Sequence, residues 1–252
     1  MSGPFDLTGR LAVVTGANRG IGFGIATALA DAGADIIAVS SRIPDSGSEI
    51  EAEVRARGRE FRAVRCDLAD ADAVAALGAE LRTSDVDILV NNAGTILRAP
   101  AAEHPMEWFE RVLRINLTSQ FALAQAVGGR MLERGRGKIV FTASLLSFQG
   151  GINVPGYAAA KSGLTGVVKA LSNEWAGRGV NVNAIAPGYI ATDNTQALRD
   201  DPERSRAILD RIPAGRWGEA SDLGGAAVFL SSRASDYVDG VVLPVDGGWL
   251  GR

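Results

Sequence analysis

The chain has 252 residues, of which 46% are hydrophobic and 22% are charged. This composition excludes a disordered chain, and the length suits one α/β domain. The formal net charge of -3, with no long block of one sign, argues against a nucleic-acid or anionic-membrane partner. The single cysteine excludes an intrachain disulfide, and the single histidine leaves no Cys/His metal site. We therefore expect a metal-free protein in the reduced cytoplasm.

Seven short apolar runs, each bounded by turn residues, predict buried β-strands. Between them, apolar residues recur at helical spacing, as in Ile21, Ile25 and Leu29. The alternation predicts an α/β fold: a single Rossmann-type domain over 1–252, with a doubly wound parallel sheet of seven strands and helices on both faces. A ligand is expected at the carboxyl ends of the strands. The runs are 11–14, 35–39, 61–64, 87–90, 138–141, 180–185 and 241–245.

One long stretch, from about 187 to 217, shows neither strand nor helix pattern and is polar. A segment of that length within a compact domain is usually a mobile element over a site. We therefore predict a substrate lid at about 187–217.

A glycine-rich turn follows the first predicted strand and precedes a helical pattern. It runs from Thr15 to Gly22, with glycines at 16, 20 and 22. Glycines allow the close approach of a pyrophosphate, whose charge is favoured by the free N–H groups at a helix start. The turn predicts a dinucleotide site, and a purely structural strand-to-helix turn is the alternative.

Four motifs, in this order along the chain, resemble those of the short-chain dehydrogenase/reductase family. They are the Thr-Gly-x-x-x-Gly-Ile-Gly turn, Asn91-Asn92-Ala93-Gly94, Tyr157-x-x-x-Lys161 and Pro187-Gly188. The resemblance covers essentially the whole chain. It implies NAD or NADP as the cofactor, and transfer of a hydride between nicotinamide C4 and a carbinol carbon.

Tyr157 and Lys161 lie at i and i+4, so a helix places them on one face. An ammonium near a phenol favours the phenolate, which would bring the pKa of Tyr157 down towards neutral pH. Ser144, at the end of the fifth predicted strand, can orient the substrate oxygen. The resemblance implies that Asn116 completes a catalytic tetrad by bending its helix and holding a water beside Lys161. An inert, exposed helix pair is the alternative for Tyr157 and Lys161.

The resemblance also implies which residues line the cofactor. Asp67 would face the adenine, with a helix N-cap as its alternative role. Thr192 would meet the carboxamide. The full predicted cofactor set is Gly16, Asn18, Arg19, Gly20, Ile21, Gly22, Ser40, Ser41, Arg42, Asp67, Leu68, Asn91, Ala93, Gly94, Tyr157, Lys161, Pro187, Gly188, Ile190 and Thr192.

The end of the second strand distinguishes NAD from NADP in dinucleotide folds. A carboxylate there accepts hydrogen bonds from the ribose 2′-OH, and a basic group pairs with a 2′-phosphate. This chain has Ser40, Ser41 and Arg42 there and lacks the acidic residue typical of NAD-dependent relatives. Arg19 and Arg42 are candidates for the 2′-phosphate or are solvated surface charges, so the choice between NAD and NADP stays open.

Several segments of the second half resemble the 2-deoxy-D-gluconate 3-dehydrogenase group of the family, also called 2-dehydro-3-deoxy-D-gluconate 5-dehydrogenases. They include 147–152, 181–189, 208–218 and 245–250. This resemblance implies a deoxy sugar acid as the substrate, which needs a cation for its carboxylate and hydrogen-bonding groups for its hydroxyls. The predicted substrate residues are Arg98, Ser144, Gln149, Tyr157 and Asn194.

Two other functions fit the same fold. A 3-oxoacyl carrier-protein reductase or broad ketone reductase would be expected to carry a basic patch for the acidic carrier, and the negative net charge argues against it. Loss of a tetrad member would have favoured a non-catalytic dinucleotide-sensing protein, and none is lost. The resemblance further implies a homotetramer. The apolar face of Leu164, Val168 and Leu171 and the terminal 247–250 are consistent with subunit contacts, and also with plain core packing.

Overall fold

The structure is a computed structural model that describes residues 3–252. Within that range seven parallel strands form one sheet in the order β3-β2-β1-β4-β5-β6-β7. The predicted single α/β domain with a doubly wound parallel sheet is confirmed. The strands are β1 (Leu11–Thr15), β2 (Asp35–Ser40), β3 (Phe61–Arg65), β4 (Ile88–Asn91), β5 (Gly137–Thr142), β6 (Val180–Pro187) and β7 (Val242–Val245).

The strand boundaries agree with the sequence pattern to within about one residue at the strand starts. β4 begins at Ile88 and β7 at Val242, each one residue later than predicted. The backbone N–H of Val241 donates to the side-chain oxygen of Asn183, at 3.0 Å, and so leaves the regular ladder. The chain order reverses between β1 and β4, which opens a crevice at the carboxyl ends of these two strands.

Nine α-helices occur within residues 3–252 and cover both faces of the sheet. Three of them, α2, α3 and α8, begin at a side-chain cap formed by Ser48, Asp70 and Asp201 respectively. The helices are α1 (Gly20–Asp31), α2 (Glu49–Ala56), α3 (Ala71–Arg82), α4 (Met106–Leu113), α5 (Ser119–Arg134), α6 (Pro155–Trp175), α7 (Gln196–Arg199), α8 (Pro202–Leu209) and α9 (Gly224–Ser231). None of the helices in this described part is long and apolar enough to cross a membrane.

The core consists of one large apolar cluster on each face of the sheet. Leu164, Val168 and Leu171 of α6 belong to the first cluster and are buried within the subunit. The suggestion that this face contacts another subunit is therefore wrong, because these side chains already pack on the sheet. A third, smaller cluster includes Leu145 and the C-terminal Trp249, whose indole is only 5% exposed. Burial of each such side chain contributes roughly 1.5–3 kcal/mol.

The polarity of the stretch 187–217 had suggested that it is irregular throughout. The structure shows that it is partly helical. It contains the helices α7 and α8. Asp201 accepts hydrogen bonds from the first turn of α8, and Pro202 takes its first helical position. The end of the stretch is fixed to the C-terminus, because Ala214 N–H donates to the Gly247 carbonyl at 3.0 Å. Asp201 followed by Pro202 is a typical helix start, which the sequence analysis did not use because the stretch is polar.

Candidate functional site

The glycine turn between β1 and α1 depends on the absence of side chains. Gly16 and Gly20 adopt φ values of 70° and 57°, in the left-handed region. A Cβ on Gly22 would lie 2.2 Å from the Gly16 carbonyl oxygen. Any side chain at Gly22 would therefore force the turn open, and the bare backbone is left free to approach a ligand.

The start of α1 has the chemistry of an anion site. Arg19 stands at its N-cap position with no side-chain hydrogen bond to the helix, and no acidic residue occupies the first turn of α1. The free N–H groups and the helix dipole favour a negative group there. A dinucleotide pyrophosphate fits this turn, because the groups that bind it are backbone groups and the glycines keep the space above them clear.

Thr15 and Asn92, two motif residues outside the predicted cofactor set, hold this turn in place. The Thr15 hydroxyl oxygen accepts the N–H groups of Asn92 and Ala93, at 2.9 and 3.0 Å. The Asn92 side-chain amide donates to the Thr15 carbonyl at 3.0 Å. The signal for Thr15 was available in the sequence, since it is a hydroxyl residue at the end of an otherwise apolar strand.

The predicted cofactor residues after β4 separate into two groups. Asn91 is fully buried, and its side-chain amide donates to the Gln120 carbonyl at 3.0 Å. Its side-chain amide thus ties β4 to α5, while its side-chain oxygen is buried and has no partner among the described residues. Ala93 is half-buried and Gly94 is exposed, at the mouth of the crevice.

The ends of β2 and β3 lie side by side, with Ser40 opposite Arg65 in the register. Ser41 and Arg42 are exposed there, and Ser40 is half-buried. Asp67 is also exposed, and its carboxylate accepts the Ala69 N–H at 2.9 Å.

Asp67 is not the N-cap of α3, because Asp70 takes that position. The alternative role considered for Asp67 is therefore wrong. The neighbouring Leu68, also a predicted cofactor residue, has its side chain buried.

Asn116 lies in a π-helical turn, Arg114–Thr118, that joins α4 to α5. The expected local bend is thus present as an i to i−5 turn, closed by the Ser119 N–H and the Arg114 carbonyl. The buried Asn116 side chain pairs with both backbone groups of Thr95, each at 2.8 Å. Both side-chain polar groups of Asn116 are therefore already engaged.

Lys161 is buried in α6, and its ammonium donates to the Thr142 carbonyl at 2.6 Å. Burial lowers the pKa of Lys161 to about 7. The same ammonium lies 5.6 Å from the centre of the Tyr157 ring. The helix therefore places Tyr157 and Lys161 on one face, as the spacing predicted.

The expected lowering of the Tyr157 pKa is not found. Burial raises the pKa of Tyr157, and a hydrogen bond with Ser144 and the positive charge of Arg98 oppose that rise. The spacing of Tyr157 and Lys161 gave no information on desolvation, which is the dominant cause. Ser144 and Arg98 are thereby both placed close to the phenol.

The segment that follows β6 packs against the glycine turn at Gly20 and Arg19. A Cβ on Gly20 would lie 3.4 Å from the Thr192 methyl group. Arg19 forms an ion pair of 2.6 Å with Asp193. The Arg19 side chain thus points towards the segment after β6. The pairing could not be predicted from the sequence, because the two residues are 174 positions apart.

The other predicted residues of this segment are placed differently. The Ile190 side chain is buried in the core, so only its backbone is available to a ligand. Gly188 is closed in by Asp246, since a Cβ there would lie 2.6 Å from the Asp246 Cα, and Pro187 ends β6. Asn194 is exposed, and Gln149 is half-buried. Across residues 3–252 no hydrogen bond joins either of these two side chains to Ser144 or Tyr157.

Comparisons with known proteins agree with this arrangement. A family model described as enoyl-(acyl carrier protein) reductase matches residues 16–250. A 2-dehydro-3-deoxy-D-gluconate 5-dehydrogenase of Pseudoalteromonas atlantica is 60% identical over 250 residues, 98% of each chain. The protein of that name from Bacillus subtilis is 55% identical over 249 residues, 98% of this chain and 97% of the relative.

Among solved structures, a gluconate 5-dehydrogenase from Burkholderia cenocepacia, in complex with NADP and tartrate, is 39% identical with a TM-score of 0.92. The match covers 99% of this chain and 98% of that one. The sheet order, the four motifs and these matches over nearly the whole length lead to one conclusion: the chain belongs to the short-chain dehydrogenase/reductase family.

Proposed function

We propose that the protein is an NAD(P)-dependent oxidoreductase that transfers a hydride between nicotinamide and a hydroxyl or ketone carbon of a deoxy sugar acid. The observation that carries the proposal is the assembly of the half-buried Ser144 and Tyr157 with the buried Lys161. The relatives that are 60% and 55% identical are named for 2-dehydro-3-deoxy-D-gluconate and for its position 5. That compound is therefore the proposed substrate.

The cofactor lies on the carboxyl edge of the sheet in this proposal. Gly16, Asn18 and Gly20 of the glycine turn would hold its pyrophosphate, Ser41 and Asp67 its adenine end, and Thr192 its nicotinamide end. The exposed Arg42, with no carboxylate at 40–42, favours NADP over NAD. When bound, the nicotinamide ring supplies the hydride acceptor or donor.

Tyr157 and Ser144 carry the proton chemistry. The Tyr157 phenol exchanges the proton of the reacting substrate oxygen, and Ser144, which is hydrogen-bonded to Tyr157, holds that oxygen in place. Lys161 provides a nearby positive charge that favours the phenolate when its ammonium is protonated. Asn116 maintains the π-helical turn beside them and fixes Thr95.

Arg98 is the proposed partner of the substrate carboxylate. Its side chain is exposed at the mouth of the site, and its charge acts on Tyr157. A guanidinium and a carboxylate form a charge-assisted, two-point contact. Gln149 and Asn194 are proposed to bind substrate hydroxyls, with the segment 187–217 as the lid that carries Asn194.

The alternatives considered from the sequence are less well supported. A 3-oxoacyl carrier-protein reductase needs a surface for an acidic carrier, and the chain is itself negatively charged at -3. A non-catalytic dinucleotide sensor gives no reason for the buried Lys161 to lie beside Tyr157. The proposed function accounts for both features.

We also propose a cytoplasmic homotetramer. Large apolar side chains are exposed on α5 and just before α6, namely Phe121, Phe148 and Ile152 at 38%, 51% and 86%. Apolar surface of this kind is typical of subunit contacts when the side chains form one patch. A molar mass of a single chain, measured by light scattering at micromolar concentration, would contradict the tetramer.

Reduced-nicotinamide absorbance tests the function. Purified protein is mixed with sugar acids and with simple ketones, in parallel with NAD and NADP. Turnover of a deoxy sugar acid supports the proposal and reports the preferred cofactor. Turnover of acyl or simple ketones alone would contradict the proposed substrate and leave the catalytic residues in place.

A further inference from the structure

The first turns of α5 face the chain that leaves β4. Asn116 and Gln120 are four residues apart, so they lie one above the other on the same side, and both are fully buried. Asn116 pairs with the backbone of Thr95. Gln120 lies one helical turn further along and has no assigned part in the site.

Gln120 holds the residues between β4 and Thr95 through two contacts. Its side-chain amide donates to the Ala93 carbonyl at 2.7 Å. Its own backbone carbonyl accepts the side-chain amide of Asn91 at 3.0 Å. Together with Asn116, it thus ties three alternate residues, Asn91, Ala93 and Thr95, to the π-helical turn and the start of α5.

Ala93 is held from both sides by these contacts. Its N–H donates to the Thr15 hydroxyl at 3.0 Å, and its carbonyl accepts from Gln120. A Cβ on Gly16 would lie 3.0 Å from the Ala93 Cα, so the glycine turn packs directly on Ala93. The position of Ala93 therefore sets the width of the crevice between the glycine turn and the β4 exit.

We propose that Gln120 is a positioning residue for the dinucleotide, acting through Ala93. This inference rests on the proposed function, because it concerns the same cofactor crevice. Replacing Gln120 with an apolar residue leaves the Ala93 carbonyl without its partner. An unpaired buried or partly buried carbonyl costs free energy, so we expect the chain at Ala93 to shift until that carbonyl finds another donor. Such a movement of Ala93 carries the wall of the crevice with it.

The test compares two variants that each lose a buried amide. Gln120→Leu removes the 2.7 Å bond to Ala93. Asn183→Leu removes two bonds away from the crevice, the 2.8 Å bond to the Val238 carbonyl and the 3.0 Å bond from the Val241 N–H, so it is the more severe loss of a buried amide. NADPH affinity is measured by fluorescence titration of the full chain. Thermal melting reports the general cost of losing a buried amide in both variants.

Gln120→Leu is expected to weaken NADPH binding by about tenfold, the equivalent of one net hydrogen bond, while Asn183→Leu keeps the wild-type dissociation constant. The KM of the sugar acid at saturating NADPH is expected to stay within about twofold. Gln120→Met, which keeps the length of the side chain and lacks the donor, replaces Gln120→Leu if the latter does not fold.

Wild-type NADPH affinity in the folded Gln120 variant would overturn the inference, and so would an equal loss in Asn183→Leu. A wild-type protein that binds neither NADPH nor NADH would overturn the proposed function as well. The two failures are therefore distinguishable. If only the inference on Gln120 fails, the wild-type protein still binds the cofactor, and if the proposed function fails as well, the wild-type titration shows no binding.

Discussion

The Lys161 ammonium donates a hydrogen bond of 2.6 Å to the Thr142 carbonyl in the interior of the protein. Thr142 ends β5, two residues before Ser144, so this bond ties the helix that carries Tyr157 to the strand that leads to Ser144. The bond holds the predicted acid–base pair and the predicted orienting hydroxyl in one rigid unit. It also keeps an amine in a place where the charged form is costly.

The cost of the buried amine is expected to appear as a difference in unfolding free energy between the wild type and Lys161→Met that depends on pH. The folded pKa of about 7 lies below the ordinary value of 10.5, so the unfolded chain binds the extra proton between these pH values. The lysine's contribution to stability is therefore fully present above about pH 10.5 and is lost as pH falls through about 7.

Urea unfolding of the wild type and Lys161→Met between pH 6 and 9.5 measures this effect. The unfolding free energy of the wild type, relative to the variant, should rise by up to about 1.4 kcal/mol per pH unit above pH 7. A difference between the two proteins that does not change with pH would mean that Lys161 titrates normally in the folded state.

Tyr157→Phe is expected to remove the proton transfer and little else. The phenyl ring keeps the packing, so NADPH affinity should stay within about twofold, while kcat falls by about 10²–10⁴-fold or more. Initial rates and a fluorescence titration on the same preparation measure both quantities. Near-normal kcat in this variant would show that another group handles the proton.

Arg42→Ala is expected to weaken NADPH binding by about tenfold or more and to leave NADH binding unchanged, because only NADPH carries the 2′-phosphate. Arg62→Ala is the matched control, since Arg62 on β3 is also an exposed arginine and pairs with Glu80. Equal loss of NADPH and NADH affinity in Arg42→Ala would remove Arg42 from phosphate recognition.

Arg98→Gln is expected to raise the KM for a sugar acid by about tenfold, with a smaller effect on an uncharged polyol. The positive charge of Arg98 also lowers the pKa of Tyr157. Its removal should therefore move the rise of the oxidation rate with pH to higher pH. Unchanged KM values for both substrates, together with an unmoved pH profile, would contradict both roles of Arg98.

The sheet and the catalytic pair were predictable because they depend on local patterns. Buried parallel strands give continuous apolar runs, and the i, i+4 spacing of Tyr157 and Lys161 survives in any regular helix. The helix α8 was missed only because polar residues outweighed the Asp201-Pro202 start signal.

What could not be predicted depends on contacts between distant segments. The ion pair of Arg19 and Asp193 joins residues 174 positions apart. The sign of the Tyr157 pKa shift follows from burial, which the spacing to Lys161 does not report. The inward direction of Leu164 likewise follows from how α6 packs on the sheet.

The proposed function requires direct transfer of a hydride between the reacting carbon of a deoxy sugar acid and a bound nicotinamide. The most direct test uses 2-dehydro-3-deoxy-D-gluconate labelled with deuterium at C5, with NAD and NADP in parallel and the wild-type protein, and mass spectrometry of the reduced cofactor. The expected product is reduced cofactor, NADH or NADPH, one mass unit heavier than normal, formed by the wild type and not by Tyr157→Phe. Unlabelled reduced cofactor, or none from the wild type with either nucleotide, would contradict the proposed function.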